Sequence, residues 1–120
     1  MKKVIFCLLF LSSAFANVVE IKNTKQLSNE LSSSNSVVFL DCYSSWCPPC
    51  KRLTPLFEKW SEKYSSKGKF LKANLDDVKD LPNTYKISSM PTLLIFDTSG
   101  QLKDRKVGLV EIESYFNKLN

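Results

Sequence analysis

The chain has no histidine among its 120 residues. No Ser/His/Asp triad, Cys/His protease, Cys2His2 zinc site or His-ligated haem can be assembled from it. Glycine is scarce too: three Gly with five Pro exclude collagen-like and low-complexity architectures. Long apolar runs are missing, since the stretch from Val4 to Ala16 is far shorter than the roughly 20 residues a membrane span needs. Lys and Arg are scattered among Asp and Glu rather than clustered, so no nucleic-acid surface is marked. What remains is an ordinary globular mixture, 43% hydrophobic and 24% charged, of a chain that can build a core.

The first sixteen residues read as a removable leader. Lys2 and Lys3 precede the apolar run Val4 to Leu11, and Ser12, Ser13, Ala14, Phe15, Ala16 follow. Ala14 and Ala16 suit the small pockets of a signal peptidase, which places the cut after Ala16. Residues 1–16 are thus expected to be a signal peptide and 17–120 one domain, with no stable membrane insertion once the leader is gone. Losing Lys2 and Lys3 leaves 15 basic against 12 acidic side chains, a mild net +3. Cys7 leaves with the leader. Export implies a periplasm, a secretory lumen or the exterior, where disulfides form and persist.

Along the remaining chain, Val18 to Ile21 reads as a strand. Asn23 or Thr24 can cap a helix carrying Leu27 and Leu31, and Ser32 to Ser36 reads as a connector. The unbroken run Val37 to Leu40 suits a strand covered on both faces, the central one of a sheet. From Pro48, the residues Leu53, Leu56, Phe57, Trp60 and Tyr64 recur at helical spacing, with Pro55 inside. Phe70 to Leu75 is the next strand, and Asp76 to Tyr85 a polar loop with a short helix. Thr92 to Phe96 and Gln101 to Val107 form a hairpin around Thr98 to Gly100. Gly108 ends it, and Glu111 to Leu119 is a closing helix. The expected order is β α β α β α β β α, an α/β fold whose mixed sheet has helices for both faces.

Chemistry concentrates in Trp46, Cys47, Pro48, Pro49, Cys50, Lys51, where a strand hands over to a helix. Two cysteines three apart can close a small disulfide ring. When the ring opens, Cys47 lies at the helix start, where free N–H groups and the helix dipole favour a thiolate. A thiol pKa of about 8.5 can fall to about 7 or lower in such a place. Cys50, deeper in the helix, should be shielded and act second. Pro48 and Pro49 lack N–H groups, so they leave fewer donors for the sulfur and stiffen the ring. A purely structural disulfide would close almost no chain and so stabilise little. A zinc site usually needs four ligands, and only Cys42, Cys47 and Cys50 survive cleavage, so no metal is expected. Redox chemistry is the reading those comparisons favour.

With its companions, the segment resembles the thioredoxin family across roughly Val18 to Leu119. The companions are Asp41 six residues before Cys47, Pro55 in the helix, Lys72 on the next strand, Pro91 in a Met-Pro-Thr sequence, and Gly108 after the hairpin. The resemblance implies a thioredoxin fold, a central mixed sheet flanked by helices on both faces. It implies a thiol:disulfide oxidoreductase in which Cys47 attacks and Cys50 resolves, with Pro91 a cis-proline beside them. Asp41, in an apolar strand, should have a raised pKa unless Lys72 offsets it, and would take the Cys50 proton through a water. Trp46, Met90 and the Gly108 region would form a flat apolar rim where an extended substrate segment pairs with the Met90 backbone. Implied partners are disulfide-containing proteins and an electron donor, either thioredoxin reductase-like or a membrane thiol donor; the protein would be a monomer needing no cofactor. Tyr43 and Cys42 depart from the family's usual tryptophan and phenylalanine, and Pro48 from its glycine. Two alternatives stand beside this reading. One is a non-enzymatic adaptor of the same fold within a larger assembly; the other is a periplasmic thiol reductase of cytochrome maturation, whose members also use WCPPC.

Overall fold

The computed structural model describes residues 17–33 and 35–119, so the expected signal peptide and Cys7 lie outside the described residues. The element order is β1 (Val18–Ile21), α1 (Thr24–Ser33), β2 (Val38–Tyr43), α2 (Pro48–Lys63), β3 (Lys69–Asn74), α3 (Leu81–Tyr85), β4 (Thr92–Phe96), β5 (Leu102–Val107) and α4 (Leu109–Asn117). The order matches the expectation from the sequence. The five strands form one sheet in the order β1-β3-β2-β4-β5. β1, β3 and β2 run parallel, while β4 is antiparallel to β2 and β5 to β4. β2 is therefore the central strand, and its first five residues are buried.

The two faces of the sheet carry different cores. One is largely aliphatic and joins Leu27 of α1 and Leu81 of α3 to Ile21, Leu40, Leu71 and Leu94. The other is aromatic and joins Phe57 and Trp60 of α2 and Phe116 of α4 to Phe39 and Phe70. Phe116 stacks on Trp60 with ring centroids 4.4 Å apart and meets Phe39 edge-on at 5.3 Å. Full burial of each such ring contributes about 1.5–3 kcal/mol, which fixes α2 and α4 against the sheet.

Element boundaries shift where side chains bond to nearby backbone. α1 starts as expected, with Asn23 Oδ1 accepting from the Gln26 N–H at 2.8 Å. It runs on to Ser33, two residues into the expected connector, because the hydroxyls of Ser32 and Ser33 donate back to the Asn29 carbonyl. β2 begins at Val38 and extends through Tyr43, carrying Asp41 to the edge of the active segment. α4 begins at Leu109, two residues early, where the Val107 N–H donates to Glu111 Oε1 at 2.9 Å. α2 runs through Pro55 without ending.

Candidate active site

The site forms where β2 passes into α2. Cys47 is the N-cap of α2, with extended backbone, and its Sγ accepts from the Cys50 N–H at 3.2 Å. Pro48 and Pro49 fill the first two helical positions and carry no N–H. The Lys51 N–H donates to the Cys47 carbonyl at 3.1 Å. The first turn thus offers the sulfur one backbone donor, in accord with the expectation from the two prolines. Cys47 and Cys50 are joined as a disulfide, their Cα atoms 5.2 Å apart. Cys50 is the more enclosed of the two, 3% exposed against 6%.

Trp46 stands out from this ring with 65% of its surface exposed. On the other side, Cys47 Sγ lies 3.6 Å from the carbonyl oxygen of Met90, and the Met90–Pro91 peptide bond is cis. Pro91 is buried and Met90 partly so. The Gly108 N–H donates to the Pro91 carbonyl at 2.9 Å, which draws the end of β5 to the same rim. Gly108 has φ +91°, a conformation L side chains rarely adopt. The structure therefore brings Cys47, Met90, Pro91 and Gly108 into one connected set, with exposed Val107 and Val110 flanking Gly108.

Asp41 is buried in β2, 3% exposed, and its Oδ1 has no hydrogen-bond partner among the described residues. It shares a cleft of about 10 Å³ with Val18, Thr54, Phe57, Glu58 and Lys72. Thr54 Oγ1 donates to the Cys50 carbonyl at 3.2 Å, so the cleft reaches one helical turn from the inner sulfur. Burial raises the Asp41 pKa to about 7; Lys72 opposes the rise and Glu20 adds to it. Lys72 is the register partner of Asp41 on β3, but its Nζ lies 3.8 Å from Glu20 Oε1. Among the described residues, no ion pair within 4.0 Å joins Lys72 to Asp41.

The residues expected from the sequence thus fall in two places. Trp46, Pro48, Pro49, Met90, Pro91 and Gly108 lie in or next to the segments that meet at the disulfide, while Asp41 and Lys72 share the cleft beside α2. Glu20, Tyr43, Thr54 and Glu58 were missed. Their signal is the strand register and the i, i+4 spacing of Cys50, Thr54 and Glu58 on α2, which matters only once α2 is laid over Asp41.

A cysteine pair at a helix N-terminus, bonded to each other and backed by a buried carboxyl, defines a thiol:disulfide oxidoreductase. The thioredoxin family model matches residues 18–119. The thioredoxin of Rickettsia bellii is 38% identical over 96 residues, covering 80% of this chain and 90% of that protein. That of Mycoplasma pneumoniae is 42% identical over 93 residues, covering 78% and 88%. Among solved structures, Schistosoma mansoni thioredoxin matches with a TM-score of 0.75 at 30% identity, covering 88% of this chain and 97% of that one. A thioredoxin from Nicotiana alata gives 0.76 at 27% identity, covering 91% and 97%. The chain belongs to the thioredoxin family.

Proposed function

We propose that the protein is an exported thioredoxin that reduces disulfides of other proteins through its Cys47-Pro48-Pro49-Cys50 ring. The observation that carries this reading is the Cys47 sulfur at the α2 N-cap, accepting the one free N–H of the first turn and facing the Met90 carbonyl. The Cys47 thiolate attacks one sulfur of a substrate disulfide, and the other leaves as a thiolate that takes up a proton. Cys50 then gives its proton to Asp41 and attacks Cys47 Sγ, expelling the second substrate sulfur. Two electrons pass to the substrate, and the Cys47–Cys50 disulfide forms. The cleft beside Asp41 is near the lower limit for a single water, which would relay the proton. A pKa of about 7 suits Asp41 to this exchange near neutrality.

The substrate segment would lie along Met90, between Trp46 and Gly108, pairing with the Met90 backbone. An electron donor of the same compartment would reduce the disulfide again. Export rests on the leader pattern of residues 1–16 alone: Lys2 and Lys3, the apolar run Val4 to Leu11, and Ala14 and Ala16.

The test is capture in the compartment. The full chain carrying Cys50→Ser and a C-terminal tag should accumulate disulfide-linked protein clients in the exported fraction, with Asn17 as its first residue. Parent protein should reduce insulin with dithiothreitol, and Cys50→Ser should lose at least about a thousandfold of that turnover. Retention in the cytosol with Met1 intact would overturn export. Absence of mixed disulfides together with inert insulin would overturn the reductase reading.

A further inference from the structure

Three charged side chains occupy a single rung of the sheet. Glu20 on β1 pairs in register with Lys72 on β3, and Lys72 pairs with Asp41 on β2. Partners on one rung point to the same face, so the Lys72 ammonium stands between two carboxyl groups. It does not share itself equally: its Nζ is 3.8 Å from Glu20 Oε1, and Asp41 Oδ1 has no hydrogen-bond partner among the described residues. The cause is visible one step further along β2. The Tyr43 hydroxyl lies 2.9 Å from one oxygen of Glu20 and 3.0 Å from the other, and donates to that carboxylate. The Lys72 Nζ lies over the Tyr43 ring, 5.8 Å from its centroid. Tyr43 thus touches both members of the pair.

We propose that Glu20, clamped by Tyr43, is a positioning residue that keeps the Lys72 ammonium off Asp41 and so sets the acidity range in which Asp41 exchanges its proton. The inference rests on the reading of Asp41 as proton acceptor and adds what controls it. β1 contributes Glu20, β3 Lys72, and α2 Glu58 and Thr54 at the cleft with Cys50 one turn above. β4 contributes only apolar Leu93 at the same rung. Cys42 lies on the opposite face. Among the described residues lining the cleft, Lys72 is the one cation, so its position weighs on the field at Asp41 beside the direct charge of Glu20.

The position of Lys72 has a sign. Freed from Glu20, the ammonium can swing toward Asp41 and favour the carboxylate, lowering the pH at which Asp41 titrates. The experiment follows the Asp41 carboxyl by carboxyl-carbon NMR in the oxidised full chain. Glu20→Gln keeps an acceptor for Tyr43 but removes the charge, and should lower the Asp41 midpoint by about one pH unit. Tyr43→Phe keeps both charges and loosens the clamp, and should lower it by about half as much. In a Lys72→Met background, Glu20→Gln should lose more than half its effect, because its target is gone. An unmoved midpoint in Glu20→Gln overturns the proposal. So does a shift that persists in full without Lys72, which would make Glu20 a distant charge rather than a positioning group. Failure of the underlying reading appears elsewhere: Asp41→Asn reducing insulin at the parental rate would remove Asp41 from the reaction and leave the titration to decide on Glu20.

Discussion

Asp41 and Cys42 are neighbours on β2, both buried, and face opposite sides of the sheet. Burial pushes the pKa of both upward, yet the outcomes diverge. On the α2 side, Lys72 opposes the burial of Asp41, and the carboxyl comes to rest at about 7. On the other side, Cys42 sits among Ile21, Leu40, Leu71 and Ala73; burial and then the charge of Asp41 raise it, and distant Arg105 only partly offsets them. Its thiol is held protonated well above the ordinary range. Burial is common to both groups; what sets Asp41 apart is a cation on the same rung and a cleft beside α2.

The comparison breaks most visibly at Asp41. Asp41→Asn keeps the shape and removes the proton exchange, so insulin reduction near neutral pH should fall about tenfold to a hundredfold. The lower end applies where hydroxide or buffer deprotonates Cys50 instead. The same substitution should raise stability with a definite pH dependence. The Asp41 pKa is raised in the fold, from 3.8 to about 7, so the native state binds the proton more tightly than the unfolded chain. Stability from this group is therefore full below 3.8, declines as pH rises toward about 7, and is level above it. Asp41→Asn lacks that decline, so its advantage in urea denaturation should grow across this window by up to about 4 kcal/mol. A constant difference across the window would mean that Asp41 is not buried as a carboxylate at all.

How much of this could be read beforehand depends on which forces act locally. The run Val37 to Leu40 reads as a central strand because an unbroken apolar run suits cover on both faces, and Leu53, Phe57, Trp60 show α2 because their spacing follows one helical face. Asp41, Cys47 and Cys50 are legible because a charge in an apolar strand and a cysteine pair at a helix start are locally unusual. Glu20 is not legible, since nothing near Val18 or Ile21 links it to Lys72 or Asp41. Only the parallel register of β1, β3 and β2 does so. The ends of α1 and α4 moved for a related reason: bonds from Ser33 and to Glu111 are decided by geometry that exists only once the helix has formed.

On the sealed face the expected effects are smaller and of another kind. Cys42→Ala removes a buried sulfur from an aliphatic core, which should cost about 1 kcal/mol of stability in urea denaturation. Insulin reduction should stay within about twofold, because no proton or electron passes through that side. In the reduced protein, Cys47 should be alkylated by iodoacetamide while Cys42 stays unmodified until the chain unfolds. Rapid native-state labelling of Cys42 would erase the contrast between the two faces.

The finest expected effect lies at the first turn of α2, where the two prolines limit what the helix can offer the sulfur. Pro49 occupies the second helical position, from which an N–H can point at an N-cap side chain. Pro49→Ala would supply that donor beside the existing Cys50 N–H. One further hydrogen bond is worth about 1 kcal/mol, enough to increase the thiolate fraction of Cys47 roughly fivefold at mildly acid pH, read by ultraviolet thiolate absorbance. Alkylation should rise less, about two- to threefold, because nucleophilicity falls as the thiolate is stabilised, with a Brønsted slope of about 0.4–0.5. A rise in absorbance without the smaller rise in alkylation would place the new N–H away from the sulfur's reacting side. No rise in either would mean that the helix dipole, rather than the count of N–H donors, governs the thiolate at this N-cap.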